Sequence, residues 1–419
     1  MRIKSLLGCV RLVAAIALLA ANESSTILAY IAPYVSQQDF SGVVYIAGRH
    51  GDIYRGAFGN VASFDTSFAI GSVSKTFTAA AVELLAARGK LRYADRLDTL
   101  VPEYSHSKDI TIDELLKHSA GVPDFYSIPA FAAVREQNLS LAQIVRWLNT
   151  YPLDFKPGTK GNYSNSGYLL LALAIERASG NSYAKFLHDN IFVPMDLKHT
   201  SAEAVDPHEN AAAGYDPGPP PRGLVAPAEI APGWFVGNGS IRSNAADLSR
   251  WLGIAAAFPH PAGWGKRTVG ANTILEQDGR IPGFASDISI DEQTGLKVIV
   301  LSNIQCAAAT TIARDLRKLA GGGTVATPAL RSRYAPAPDA LAAVVGTYGF
   351  RGLPLVVSRK GDDVFLSNAN DGMQLVLDPV GPNAFFFRPL YVSVRFKTDA
   401  KGVVQSIDWD GQFTIPRTN

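Results

Sequence analysis

The chain has 419 residues, with 47% hydrophobic and 18% charged positions, enough for two or three domains around large buried cores and unlike a disordered chain. Lys+Arg number 39 against Asp+Glu 37, a formal charge of +2, which argues against the basic patch of a nucleic-acid binder. Two cysteines, Cys9 and Cys306, exclude a disulfide framework and a thiolate metal cluster.

Arg2, Lys4 and Arg11 precede an apolar run from Leu12 to Ala21 that closes on small residues. This pattern predicts a secretory signal peptide over 1–21, and hence a secreted or periplasmic protein. The run is about half of what a spanning helix requires, which disfavours the alternative of a membrane anchor. Leu6-Leu7-Gly8-Cys9 stands before the apolar core, the wrong place for a lipoprotein cleavage box. Cys306, in a strand-like run, reads as a small buried apolar residue.

Ser41–Ile46 and Asp52–Phe58 are β-rich and flank Gly48, His50 and Gly51, predicting a hairpin. Helices are expected over Thr76–Arg88, Leu139–Leu148, Tyr168–Ala178, Tyr183–Ile191, Ala245–Ala257 and Thr310–Leu319. The proline-rich stretch Gly214–Pro232 predicts an extended loop. Ala285–Ile290 and Leu296–Asn303 read as two strands joined by a turn. Strands at both ends with helices between them predict an α+β fold, an antiparallel sheet built from both termini and packed by helices. After Gly321–Pro338 the texture changes to seven short β-rich runs from Gly346 to Trp409, the pattern of a small barrel or sandwich.

Gly71-Ser72-Val73-Ser74-Lys75 carries the chemistry. Ser72 and Lys75 are three apart at a helix start, which puts them on one face. A serine hydroxyl needs a base, and a buried lysine at a helix N-terminus supplies one if its pKa falls. The bare S-x-x-K pattern is weak: Ser105–Lys108 and Ser182–Lys185 match it too, the latter with Ser182 as a helix N-cap. Locally, Ser72 as nucleophile and Ser72 as N-cap are close. Tyr163-Ser164-Asn165, the only Y-x-N in the chain, tips the balance. A tyrosine beside a lysine relays protons, and an asparagine amide holds lysine and substrate. The bland alternative for Tyr163 is an aromatic at a helix boundary. The seven scattered histidines show no H-x-x-x-H spacing, and no G-x-S-x-G elbow is present. His118 reads as a buried histidine under the cleft, and Asp247 as a helix N-terminal charge.

With these residues in place the chain resembles the serine β-lactamase and penicillin-binding-protein-like hydrolases, in their class C β-lactamase, D,D-peptidase and esterase branch. Phe68–Lys75 and Lys156–Tyr168 look like that family's first two motifs, Leu115–Val122 and Gly237–Asp247 like two further segments. The resemblance covers about Ser41 to Leu319. It implies a hydrolase domain over 22–325, a linker over 326–338 and, by similarity to appended lipocalin-like domains, a small β-barrel over 339–419. It implies an acyl-enzyme on Ser72, acid–base work by Lys75 and Tyr163, and substrate orientation by Asn165. The backbone N–H groups of Ser72 and Arg280 would form the oxyanion hole. No cofactor or metal is implied, and the partner would be a small-molecule or peptide substrate: a β-lactam, a D-amino-acid peptide or an ester.

The third motif departs from the family. Glu276–Phe284 aligns through Gly279 and Gly283-Phe284, but Gln277 stands where lysine or histidine is usual. Gln277, Gly279 and Arg280 are the expected substrate-binding residues of this strand, taken as the sheet's edge. Glutamine supplies no cation to a substrate carboxylate, and strand alternation turns the Arg280 side chain to the opposite face. Efficient β-lactam hydrolysis is therefore less expected than that of a small ester or uncharged amide. The alternative function is a penicillin-binding sensor that acylates without turnover.

Overall fold

The computed structural model describes residues 24–61, 63–203, 210–219, 223–255, 262–332, 334–350, 353–368 and 373–418. The expected signal peptide and Cys9 lie outside the described residues. The helices used below are α1 (residues 24–36), α2 (Ser74–Ala87), α3 (Leu141–Leu148), α4 (Asn165–Ser179), α5 (Tyr183–Leu187), α6 (Ala245–Ala255) and α7 (Ala308–Ala320). Six strands form one antiparallel sheet: β1 (Gly42–Gly48), β2 (Gly51–Phe58), β3 (Gly265–Val269), β4 (Asn272–Ile281), β5 (Phe284–Asp291) and β6 (Lys297–Ser302). Their spatial order is β2-β1-β6-β5-β4-β3, so both ends of this region meet at the β1–β6 pair.

Side-chain alternation builds the layers. On β6, Val298 and Val300 face α1 and α7, while Ile299 and Leu301 face the larger core under α2, α4 and α6. Both faces are covered, which is why β5 is buried along its whole length. Local signals set the helix ends. Ser140 and Gln143 form a capping box at α3, and Gly180, in the left-handed conformation at φ 73°, closes α4. The helix expected over Tyr183–Ile191 is α-helical only to Leu187 and continues as a π turn, His188–Phe192. Asn190 Nδ2 donates to the Phe186 carbonyl at 2.8 Å, occupying an acceptor that the α ladder would use.

Two expectations need correction. β4, which carries Gln277 and Gly279, is not the edge strand: β3 pairs with its residues 272–276. Gln277–Ile281 lie beyond that pairing, so the stretch beside Ser72 still has no outer neighbour from β3. β3 is solvent-exposed throughout, and the Arg267–Glu276 ion pair (2.9 Å) ties it to β4. The proline-rich stretch is not wholly irregular. Asp216–Pro217 pairs with Leu224–Val225, and the Asp216 carboxylate accepts from Gly283 N–H (2.8 Å) and Ala228 N–H (3.0 Å).

Eight further strands follow in sequential antiparallel order: β7 (Gly346–Phe350), β8 (Leu353–Lys360), β9 (Asp363–Asn368), β10 (Gln374–Gly381), β11 (Ala384–Phe387), β12 (Val392–Thr398), β13 (Val404–Trp409) and β14 (Phe413–Pro416). The first and last approach through a single bridge, Tyr348 to Arg417, and the Thr418 N–H donates to Thr347 O at 2.8 Å. The result is a nearly closed barrel around Tyr348, Leu377, Phe385, Phe396 and Ile407.

The β11–β12 turn reaches out of the barrel to the six-stranded sheet. Arg388 pairs with Asp378 (2.6 Å) and donates to Gly218 O (2.6 Å), while its own carbonyl accepts from Cys306 Sγ–H (3.2 Å). Pro389 O accepts from Arg280 Nη1 at 3.3 Å. Arg388 and Asp378 are both buried. Truncating one member of a buried pair strands the other charge, at a cost of about 3–5 kcal/mol. Arg388→Ala is expected to lower the urea midpoint accordingly, whereas a midpoint equal to wild type would show that the pair contributes nothing.

Candidate active site

Two-residue strands, Phe68–Ala69 and Arg242–Ser243, pair and deliver the chain to a 3₁₀ turn, Gly71–Val73, from which α2 continues. Gly71 has φ 51°, and a Cβ there would lie 2.7 Å from the Arg280 nitrogen. Gly279 is equally constrained: a Cβ would lie 2.0 Å from Ile70 O and 2.9 Å from Ser72 N. Both glycines are there because two backbones meet at Ser72.

The turn puts Ser72 and Lys75 on one face. Ser72 Oγ is 3.0 Å from Lys75 Nζ and 2.6 Å from Tyr163 Oη. Neither end of α2 uses a side-chain cap, so the N-cap reading of Ser72 fails. Ser164, not Tyr163, caps α4, accepting from Gly167 N–H at 3.2 Å. This places Tyr163 just outside the helix and Asn165 at its first turn. The Tyr163 ring lies against His118 (centroids 4.5 Å apart) and below Lys75 Nζ (4.9 Å). Ser182 caps α5, accepting from Lys185 N–H.

Lys75 is buried, 1% exposed. Besides Ser72 it meets two carbonyl oxygens, Asn165 Oδ1 at 2.8 Å and Asn238 O at 2.9 Å. Burial lowers its pKa to about 7, against the smaller opposing pull of Asp124 and Asp278. As an ammonium it donates to all three partners. As a neutral amine it has two N–H groups, both taken by the carbonyls, and its lone pair is left for Ser72 O–H. Tyr163 titrates the other way. Its ring is half exposed, but its hydroxyl is crowded by protein, and that burial raises its pKa, so it stays a phenol at neutral pH. His118 accepts from Ser164 N–H through Nδ1 (3.2 Å). Burial first and Lys75 second lower its pKa to about 4, so it is neutral.

Two contributors had no legible role in the sequence. Asp124 accepts from Asn165 N–H (2.7 Å) and Nδ2 (2.9 Å) through one oxygen and from Tyr126 N–H (2.9 Å) through the other. It thereby fixes the Asn165 amide with Oδ1 towards Lys75. Its only sequence signal is that of a cap, a Pro-Asp before the short Phe125–Ser127 helix. Asn238 acts through its backbone carbonyl, while its Nδ2 donates to Trp234 O at 2.8 Å. Asp124→Ala frees the Asn165 amide to turn. It is expected to lower kcat about 10- to 100-fold, read by steady-state kinetics, because small misplacements at reacting groups have effects of that size. An unchanged kcat would show that Asn165 is held some other way.

Gln277, Asp278 and Arg280 line the roughly 320 Å³ cavity over Ser72, together with Tyr126, Tyr163, Asn165 and Phe235. Gln277 Nε2 donates to its neighbour's carbonyl, Asp278 O, at 2.9 Å. The Arg280 guanidinium turns to Pro389 O and lies 3.9 Å from the Asp278 carboxylate. The one cation of this strand is thus directed to the barrel. A larger cavity of about 1190 Å³ adjoins the first at Phe235 and Ile281. Asp247 is remote from this chemistry and tethers α6 through His199 N–H (2.7 Å) and Thr200 Oγ1 (2.9 Å).

Comparison with known proteins agrees with this architecture. The Beta-lactamase family model matches residues 27–321. Penicillin-binding protein 4* of Bacillus subtilis (strain 168) is 33% identical over 240 residues, 51% of this chain and 52% of that protein. The chain thus spans about half the length of the curated relatives it matches. An octameric penicillin-binding protein homologue from Pyrococcus abyssi shares the fold over 93% of this chain and 99% of its own, with a TM-score of 0.62 and 19% identity. A D-stereospecific amidohydrolase from Streptomyces covers 66% of this chain and 94% of its own, with a TM-score of 0.58 and 21% identity. A sheet framed by helices, a serine and lysine one turn apart, and a family match over most of the chain lead to one assignment: this protein belongs to the Beta-lactamase family.

Proposed function

We propose that the protein is an exported hydrolase that cleaves a small ester or amide through an acyl-enzyme on Ser72. The arrangement of Lys75 carries this reading: its neutral form has one free lone pair, and Ser72 Oγ is the partner left for it. Lys75 takes the hydroxyl proton as Ser72 Oγ attacks the carbonyl carbon. The oxyanion is received by the Ser72 and Arg280 backbone N–H groups, donors of a kind worth roughly 3–4 kcal/mol each. Tyr163, a phenol beside Ser72 Oγ, gives its proton to the leaving group and is reprotonated by the Lys75 ammonium. Water then releases the acyl group. A substrate carboxylate has no cation waiting for it at position 277, because Gln277 brings no charge there and the Arg280 guanidinium is turned to Pro389 O. The fold neighbour named as a D-stereospecific amidohydrolase makes a D-aminoacyl amide one candidate substrate. The export reading rests on the sequence of residues 1–21.

The test is intact mass after incubation with β-lactams and with small esters, with Ser72→Ala alongside. Product released over many turnovers, together with a transient acyl adduct on wild type alone, is the expected result. A stable β-lactam adduct without turnover favours the second reading, a penicillin-binding sensor, for which the missing third-motif cation speaks. Gln277→Lys is expected to raise kcat/KM for a carboxylate-bearing substrate relative to its neutral analogue by about tenfold or more, the worth of one charge-assisted contact. An unaltered ratio would mean that position 277 does not face the substrate.

A further inference from the structure

On the far side of Tyr163 a second cavity, about 480 Å³, opens beside Ser72's own, and Tyr163 and Gln277 line both. Four of its lining residues are aromatic, Tyr93, His118, Tyr163 and Trp264, beside the polar Lys75, Asp113, Lys117 and Gln277. Several of the polar groups among them have partners within the protein. Tyr93 donates its hydroxyl to Glu83, and Lys117 is paired with Asp113 at 2.7 Å. His118 uses Nδ1 to accept from Ser164 N–H. A flat apolar group placed here would gain ring contacts on several sides. The volume exceeds a single aromatic ring with a short linker and falls within the range of small-ligand pockets, about 300–1,000 Å³.

Which half of the substrate enters follows from the proton path. The leaving group takes its proton from Tyr163, and Tyr163 forms the wall shared by the two cavities. The acyl half is directed the opposite way, towards Phe235 and Ile281, where the cavity over Ser72 joins the 1190 Å³ one. We propose that the Tyr93–His118–Tyr163–Trp264 cavity is the leaving-group pocket, and that it selects alcohols or amines carrying an aromatic or bulky apolar substituent. This rests on the reading of Ser72 as the nucleophile. Trp264 has no place in the acid–base path and determines specificity by contact alone.

The experiment compares wild type, Trp264→Ala and Trp264→Phe on ethyl acetate, 2-phenylethyl acetate and ethyl phenylacetate. Comparing variants on one ester cancels its intrinsic reactivity. Trp264→Ala is expected to lose about tenfold or more kcat/KM on 2-phenylethyl acetate relative to its change on ethyl acetate, the scale on which an apolar pocket discriminates. Trp264→Phe, which keeps a ring, should retain most of the preference. Equal losses on all three esters would reduce Trp264 to a structural role and overturn the proposal. A loss confined to ethyl phenylacetate would also overturn it, by giving the pocket to the acyl group. Ser72 is read separately, by intact mass after an alkyl fluorophosphonate. Labelled enzyme with no leaving-group preference removes the pocket assignment alone. Unlabelled enzyme, inactive on every ester, removes the nucleophile reading and the pocket assignment with it.

Discussion

Ser72→Ala is expected to abolish turnover, with a loss of roughly 10⁴- to 10⁶-fold, as when the nucleophile of other serine hydrolases is removed. The fold should survive it. The Ser72 side chain bonds to Lys75 and Tyr163, both on the cleft side, and the turn that holds it is set by Gly71 and by the Phe68–Ala69 strand. The circular dichroism spectrum and melting temperature are therefore expected to match wild type within a few degrees, so that lost activity reports chemistry. Hydrolysis retained in this variant would end the acyl-enzyme reading. The neighbouring Ser74 gives a control of opposite kind. Its hydroxyl is buried and accepts from Ile241 N–H at 3.1 Å, so it supports the loop behind the site and takes no part in acylation.

The second large effect is a pH dependence. Lys75 must be neutral to accept the Ser72 proton, and burial lowers its pKa to about 7. Below that value the ammonium dominates and kcat/KM falls about tenfold per pH unit; above it the acid limb levels off. Tyr163, shifted upward, has no neutral-range step of its own, and His118, neutral above about 4, contributes none near 7. One acid limb centred near 7 is the expected profile. Replacing Lys75 by methionine should remove the limb together with nearly all activity. A limb that persists in a residually active Lys75→Met enzyme would assign it to another group. The same burial acts on stability with a definite sign. A lysine whose folded pKa lies below its unfolded value binds fewer protons when folded. It therefore penalises the fold fully below about pH 7, and the penalty disappears as pH rises towards the ordinary lysine value.

What could be read from the chain alone depended on whether a feature is local. Ser72 with Lys75, and Tyr163 with Asn165, are each adjacent in sequence, so each pair carries its own pattern. Asp124 acts from 41 residues away on Asn165, and Asn238 acts through a carbonyl every residue possesses; neither leaves a local trace. β3 escaped notice because Gly265–Val269 is exposed on both faces and shows no apolar alternation. Seven of the barrel's strands were foreseen from β-rich runs between turns. β14 is only four residues long, Phe413–Pro416, and ends on a proline. The β-rich run that forms β11 continues in sequence to Pro389, yet pairing stops at Phe387. Arg388 and Pro389 leave the ladder for partners outside the barrel, Gly218 and Arg280, a destination that no local propensity encodes.

That departure bears on how such proteins can be recombined. The first domain taken from this chain without its barrel would keep the Asp39–Arg331 ion pair (2.6 Å) but leave Asp39 without the Arg388 charge and Tyr391, Cys306 without its acceptor and the Gly218 carbonyl without its guanidinium. Tyr34 would lose the Tyr391 ring that lies 5.6 Å from its own, and Arg280 would be released beside Ser72. A foreign barrel grafted in its place would have to reproduce a guanidinium and a carbonyl on one turn at that spacing. The barrel is in this sense a fitted part, matched through Arg388, Pro389 and Tyr391 to the strand and helix that they touch.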